Sequence, residues 1–200
     1  MGKLRTLYLA ILNRCEKISH KRDLLKVINE YKESINRISI KDALKYLSRH
    51  GYIKRIFLDY YYINSIEERE LGYQKEYSDK ELLFFVLNKV HWKWYLGLTS
   101  ALYERGEIWQ APNSIIIINN RLSKEITIAD MKVKFYKMKD ALFFGILSKK
   151  TKHKIHYFYS DKEKTDLDFV YLRKYDQIDD PTKKTKEYTK RYPKWLQKLI

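Results

Sequence analysis

Asp130-Met131-Lys132 sets a carboxylate two residues before a lysine, at what reads as a strand boundary. Metal-dependent nucleases use an acid and a lysine in such a place. That chemistry needs several carboxylates converging on Mg²⁺. Asp166 and Asp168 are the next acidic pair, but both fall in the first turns of an expected helix, where acids suit the macrodipole. The histidines are His20, His50, His91, His153 and His156. Only the last two are close, and their odd offset puts them on opposite sides of a strand. The single cysteine, Cys15, rules out an internal disulfide and a cysteine-based zinc cluster. No histidine–asparagine signature accompanies it, so it reads as a small apolar residue. There is no glycine-rich phosphate loop, nucleophile elbow or two-histidine helix motif. The expectation is a protein that is not an enzyme and holds no metal or cofactor.

A second group of side chains can bind rather than react. Ser39 and Asp42 have the spacing of a helix cap, with Asp in place of the usual Glu or Gln. Ile40, Ala43, Leu44 and Leu47 then recur at helical spacing, while Lys41, Lys45, Ser48 and Arg49 share the other face. Gly51 stops the helix. Two β-rich runs follow, 52–57 and 60–63, around Leu58-Asp59. Short basic helix, glycine, basic hairpin is the order of a winged helix-turn-helix, a recognition helix and then a wing. The expected contacts to double-stranded DNA are Ser39, Lys41, Lys45, Ser48, Arg49, Lys54 and Arg55. An ordinary amphipathic helix and hairpin with solvated cations fits the same pattern. Tyr60 and Tyr62 beside Lys54-Arg55 read as cross-strand packing rather than as a stacking platform.

The charge suits a polyanionic partner, or simply a highly charged surface. Lys plus Arg is 41 against 25 Asp plus Glu, a net +16. Residues 1–63 carry net +8, residues 64–130 net −2 and residues 131–200 net +10. Hydrophobic residues are 44% of the chain, enough for a folded core rather than disorder. No apolar run approaches the roughly 20 residues of a membrane span. No signal-peptide pattern is evident, so the expected location is the cytoplasm and no membrane partner is implied.

The elements that must position these groups follow from periodicity. Helices are expected over 3–17, 21–32 and from Ser39 onward. They close a first domain of residues 1–64, a winged helix-turn-helix. Residues 67–77 are polar and contain Gly72, and read as a linker between domains, with a partly helical form left open. Ser78 and Glu81 form a capping box ahead of an apolar helix over 79–90. A second helix is expected over 94–105, closed by Gly106. From Ile108 the period changes: strands are expected over 115–118, 125–129, 132–138 and 155–159, with 140–147 ambiguous and a turn at Asn119-Asn120. A helix returns over 161–173. Residues 78–175 thus form a mixed helix/sheet domain, and 176–200 a basic tail with a short docking helix. The fold class is α+β.

Two stretches carry a family resemblance. Trp94–Tyr103, WYLGLTSALY, resembles the aromatic, small-residue, Ala-Leu-Tyr helix of the AbiEi antitoxins of prokaryotic abortive infection. Tyr159–Asp168, YSDKEKTDLD, resembles that family's acid-x-Glu-Arg-Thr run before Leu-x-Asp, with Lys164 where arginine is commoner. The resemblance picks out Tyr95, Ala101, Leu102, Tyr103, Asp161, Glu163, Lys164, Thr165 and Asp168. It implies a DNA-binding regulator that represses its own operon as part of a type IV toxin–antitoxin system for phage defence. It also implies an antitoxin domain that counters a nucleotidyltransferase-like toxin without a stable complex. A nucleic-acid-binding module without a toxin, and a metal-dependent nuclease, are the alternatives.

Overall fold

The computed structural model describes residues 2–31, 39–73, 76–128, 131–178 and 180–200. Asp130, and with it the Asp-x-Lys pattern, lies outside the described residues, as do Arg37 and Ile38. The chain is a mixed α+β protein that divides into two units, Met1–Val86 and Leu87–Ile200.

Unit 1 runs α1 (Gly2–Arg14), β1 (Ile18–His20), α2 (Lys21–Glu30), α3 (Ile40–Arg49), β2 (Ile53–Arg55), β3 (Tyr60–Ile63) and α4 (Ile66–Leu71), and ends within α5 (Asp79–Lys89). Its core joins Leu7 and Ile11 of α1, Leu24 and Ile28 of α2, and Ala43, Leu44 and Leu47 of α3, all buried. Each leucine or isoleucine side chain among them is worth about 1.5–3 kcal/mol when taken out of water. These are the apolar stripes that the spacing predicts. Ile40 is only partly buried at the edge of this cluster.

The ends of α3 are set by local chemistry. The Asp42 amide donates to Ser39 Oγ at 3.1 Å. At the other end Gly51 has φ 68°, and the Gly51 and Tyr52 amides donate back to the Ser48 and Leu47 carbonyls at 3.1 and 2.9 Å. That pair of bonds is a Schellman stop, which needs a left-handed residue at this position. The chain then turns into β2. Leu58 and Asp59, at φ 46° and 62°, make the tight turn back into β3. The sheet order is β1-β3-β2, antiparallel throughout, with Ile18 opposite Tyr62 and Arg55 opposite Tyr61. Sequence reading overlooked β1, whose three residues are too few to show a period. Tyr62 is fully buried and Tyr61 nearly so, so β3 packs on both faces.

The polar stretch 67–77 begins in a short helix, α4, as a partly helical linker allows. Ser65 and Glu68 form a reciprocal capping box that starts α4, and Glu68 is only 3% exposed. Its carboxylate accepts from Lys17 Nζ at 2.7 Å and from the Tyr62 hydroxyl at 2.6 Å. A glutamate doing three jobs reads from sequence as one more surface charge. The first unit therefore runs past residue 64 to Val86. The predicted box at Ser78 and Glu81 is present, with the Ser78 amide donating to Glu81 at 3.0 Å.

Unit 2 contains β4 (Trp94–Leu96), α6 (Leu98–Arg105), β5 (Ile115–Asn119), β6 (Lys124–Ile128), β7 (Met131–Lys137), a 3-10 turn (Asp140–Leu142), β8 (Ile146–Lys150), β9 (His156–Ser160), α7 (Lys162–Tyr171), α8 (Lys183–Thr189) and α9 (Lys194–Gln197). The strands form a six-stranded mixed sheet in the order β6-β7-β5-β4-β9-β8. Pairs β4–β9 and β5–β7 are parallel, the others antiparallel. Helix α6 packs on β5 and β9, and α7 packs between α6 and α8.

One expectation is corrected here, and one ambiguous stretch is resolved. Residues 94–105 are not one helix: Trp94–Leu96 is a central strand and only Leu98–Arg105 is helical. Gly97 makes the break. A Cβ there would stand 2.4 Å from Ile118 Cδ1, so any side chain at this position would require the buried Ile118 to shift. The ambiguous 140–147 splits into the 3-10 turn and the start of edge strand β8. Residues 176–200 end in the expected short docking helix, α9, and also hold α8. Tyr192 and Leu196 are buried in the core of unit 2 with Tyr95, Leu167 and Val170.

Candidate functional site

Two places gather the residues singled out by the sequence. The first is the exposed face of α3. Lys41, Lys45 and Arg49 are spaced four residues apart, about 6 Å of rise each, and make one stripe. All three are exposed, as are Ser48 and Ser39. None of the three cations pairs with an acid among the described residues. Ser39 is engaged in the helix cap, so its hydroxyl positions α3 rather than standing free. Tyr46, one turn before His50, stacks against that ring at 4.1 Å.

The hairpin beside α3 holds its charges differently. Lys54 Nζ sits 2.9 Å from Asp79 Oδ1, with both side chains about two-thirds covered. Arg55 is 64% exposed and only loosely faces Asp59, at 3.6 Å. Asp59 also lies 4.0 Å from Lys21. Of the two expected wing cations, Arg55 is available and Lys54 is held. Asp79 was not foreseen as its partner, because the two are 25 residues apart.

The second place is the interior of unit 2. The two stretches that carry the family resemblance meet there: Leu96 of β4 pairs with Tyr159 of β9. The Tyr95 hydroxyl donates to Asp168 Oδ2 at 2.8 Å, across 73 residues. Lys164 Nζ donates to Asp168 Oδ1 and, at 2.7 Å, to the Tyr192 hydroxyl, which itself donates to Asp168 at 2.7 Å. Tyr95, Phe144 and Tyr192 present their rings to the ammonium at 5.1–5.3 Å. Lys164 and Asp168 are both fully buried. Burial pulls the Lys164 ammonium down from its ordinary value, and Asp168 opposes that. Burial, followed by the Asp168 charge, pushes both tyrosine hydroxyls well up.

The neighbours complete the knot. Asp161 caps α7 by accepting from the Lys164 amide at 2.8 Å, and its other oxygen accepts from Tyr188 and Lys184 at 3.0 Å. Glu163 meets Lys184 at 3.2 Å. Thr165 accepts from Arg105 at 2.8 Å, and Arg105 also grips Glu107 with two donors. Ala101 is buried, Leu102 is half-buried, and Tyr103 is exposed. The side chains that close the knot and were missed are Tyr192, Phe144 and Arg105. Tyr95, Asp161, Glu163, Lys164, Thr165 and Asp168 are picked out by the resemblance, but of their contacts only the four-residue step from Lys164 to Asp168 shows in the spacing.

At the centre of this set Lys164 and Asp168 are closed off from solvent and bonded to one another and to the two tyrosines. The set joins α7, β4 and the C-terminal helices into one body. Asp166 stands apart from it, with burial raising its carboxyl. Among the described residues no group of three or more His, Cys, Asp and Glu could hold a metal ion. No helix among them is long and apolar enough to cross a membrane. No protein-family model matches the sequence, and no curated protein matches it.

Proposed function

We propose that this chain is a DNA-binding transcriptional regulator whose first unit is a winged helix-turn-helix. One observation carries the reading: helices and strands in the order α1-β1-α2-α3-β2-β3, a sheet ordered β1-β3-β2, and three unpaired cations in a stripe on α3. Helix α3 is the recognition helix, offering Lys41, Lys45, Ser48 and Arg49 to the major groove. Arg55 on the hairpin meets phosphate. Unpaired exposed cations lose little on meeting phosphates, because they give up no internal partner.

The resemblance of residues 94–103 and 159–168 to the AbiEi antitoxins supports the second half of the proposal. In this reading the regulator represses its own operon, and unit 2 counters a nucleotidyltransferase-like toxin without a lasting complex. The joining of the two resembling stretches in one knot fits a scaffold role for those residues rather than a catalytic one.

The test uses the full chain. Lys41→Ala/Lys45→Ala/Arg49→Ala should fold normally and lose discrimination between its own upstream DNA and random duplex. Each lost base contact is worth about 1–3 kcal/mol. Cells co-expressing a nucleotidyltransferase-like toxin should stay protected by the triple variant while repression fails. Unchanged discrimination would remove α3 from the interface. Growth arrest with wild-type protein would remove the antitoxin half.

A further inference from the structure

The β8–β9 hairpin of unit 2 ends in a compact cationic tip. Lys150, Lys152 and Lys154 lie within five residues, with His153 among them and His156 directly opposite Lys150 across the strands. All three lysines are exposed, and none pairs with an acid among the described residues. From Ala141 to Ser160 the chain has no acidic residue.

The tip is ordered, not slack. The Lys154 amide donates to the Thr151 carbonyl at 3.0 Å, and the Thr151 amide to the Ile155 carbonyl at 2.9 Å. The His153 amide also reaches Thr151 Oγ1 at 3.3 Å. Lys154 takes φ 61°, a backbone setting that a lysine adopts at some cost. Behind the tip, Lys149 is tied back to the Glu104 carbonyl at 2.7 Å, and Tyr157 to the Glu104 carboxylate at 3.0 Å. Like charges crowded on a fixed turn repel one another and destabilise the free protein. A polyanion removes that repulsion, and a preorganised tip loses little entropy on binding it.

We infer that the tip of the β8–β9 hairpin is a second nucleic-acid contact, binding the phosphate backbone of duplex DNA without regard to sequence. The tip residues Thr151, Lys152, His153 and Lys154 contain no large apolar side chain to enter a bilayer, which favours nucleic acid over an anionic membrane. The inference deepens the DNA-binding reading but stands on its own residues. It therefore survives or fails separately from α3.

The experiment measures full-length protein against a random-sequence duplex over a series of KCl concentrations. Each phosphate contact contributes about −0.9 to the slope of log K against log salt. Lys150→Gln/Lys152→Gln/Lys154→Gln should lower the slope magnitude by about two to three, and weaken binding about tenfold or more near physiological salt. The control Lys186→Gln/Lys190→Gln/Lys194→Gln removes the same charge from the exposed surface of α8 and α9. It should change the slope by less than about one. Equal slopes for wild type and the hairpin variant, or an equal loss in the control, would overturn the inference. Binding to phosphatidylserine vesicles but not to duplex would overturn it in favour of a membrane surface. The α3 triple variant distinguishes the two readings. If it loses selectivity yet keeps the hairpin-dependent slope, both hold. If wild type shows no selectivity while the hairpin variant still loses slope, only the α3 reading fails. Should the triple variant melt early, Lys152→Gln alone, at the exposed turn, should still remove about one unit of slope.

Discussion

Lys164 donates to Asp168 one helical turn further on, and both side chains have no exposure to solvent. Two charges taken out of water are costly, and their attraction offsets the cost only when every remaining donor and acceptor is occupied. Here Tyr95 and Tyr192 supply the missing hydrogen bonds to Asp168. The set is therefore stable as a whole and fragile to the loss of a member. Asp168→Ala strands an ammonium in an aromatic box and should cost about 3–5 kcal/mol. Tyr192→Phe removes one hydroxyl and should cost about 1–2 kcal/mol. Urea unfolding checks both, and an Asp168→Ala loss under about 1 kcal/mol would mean that the network is not closed.

The Arg105 guanidinium holds the Glu107 carboxyl below the usual range. A carboxyl depressed in the folded state adds stability that is present above its unfolded pKa, near about 4.3, and is lost as pH falls through the folded value. Asp166 acts the other way, since burial raises it and protonation relieves the strain. Glu107→Gln should flatten the loss of stability between about pH 5 and 3. Because Glu107 is 37% exposed, the change should stay below about 1 kcal/mol. Thermal melts over that range decide it; an identical acid limb in the variant would show that the pair contributes nothing.

What was legible in the sequence was local. The apolar stripes of α2 and α3, the Ser39 cap, the Gly51 stop and the Ser78–Glu81 box all lie within a few residues of their partners, and each is present. What was not legible was set at a distance. Gly97 breaks a helical pattern because Ile118 of another strand presses on it. Glu68 looks like a surface acid until Lys17 and Tyr62 arrive from earlier in the chain. Residues 176–200 read as a basic tail because Tyr192 finds its partners 24 residues earlier, in α7. The α3 stripe was visible because helical spacing alone puts Lys41, Lys45 and Arg49 together. The knot around Lys164 was not, because it needs four separate segments.

Leu58 and Asp59 make the hairpin turn with both residues at positive φ. Asn and Gly are the residues that such a turn prefers. Leu58 is 36% exposed, so its packing is partial and is weighed against the strain of the turn. Leu58→Asn should raise the stability of unit 1 by about 0.5–1 kcal/mol, by relieving left-handed strain. A fall in the melting temperature would show that the Leu58 side chain, not the turn, is the larger contribution.

The last prediction separates the two hairpin cations. Lys54 Nζ lies 2.9 Å from Asp79 Oδ1, and Asp79 stands in the first turn of α5, where a carboxylate is favoured by the helix dipole. That carboxylate competes with any phosphate for the Lys54 ammonium. Arg55, at 64% exposure and 3.6 Å from Asp59, faces weaker competition. Arg55→Ala should therefore lower the salt slope of duplex binding by about 0.9, the full value of one phosphate. Lys54→Ala should lower it by distinctly less. Asp79→Asn should do the reverse of both: it frees Lys54, so binding to every sequence should tighten and the slope should steepen. Anisotropy titrations of all three variants across KCl read these slopes directly. Equal losses from Lys54→Ala and Arg55→Ala, with no gain from Asp79→Asn, would mean that the ion pair opens on binding, and that the acid does not set which hairpin cation meets the backbone.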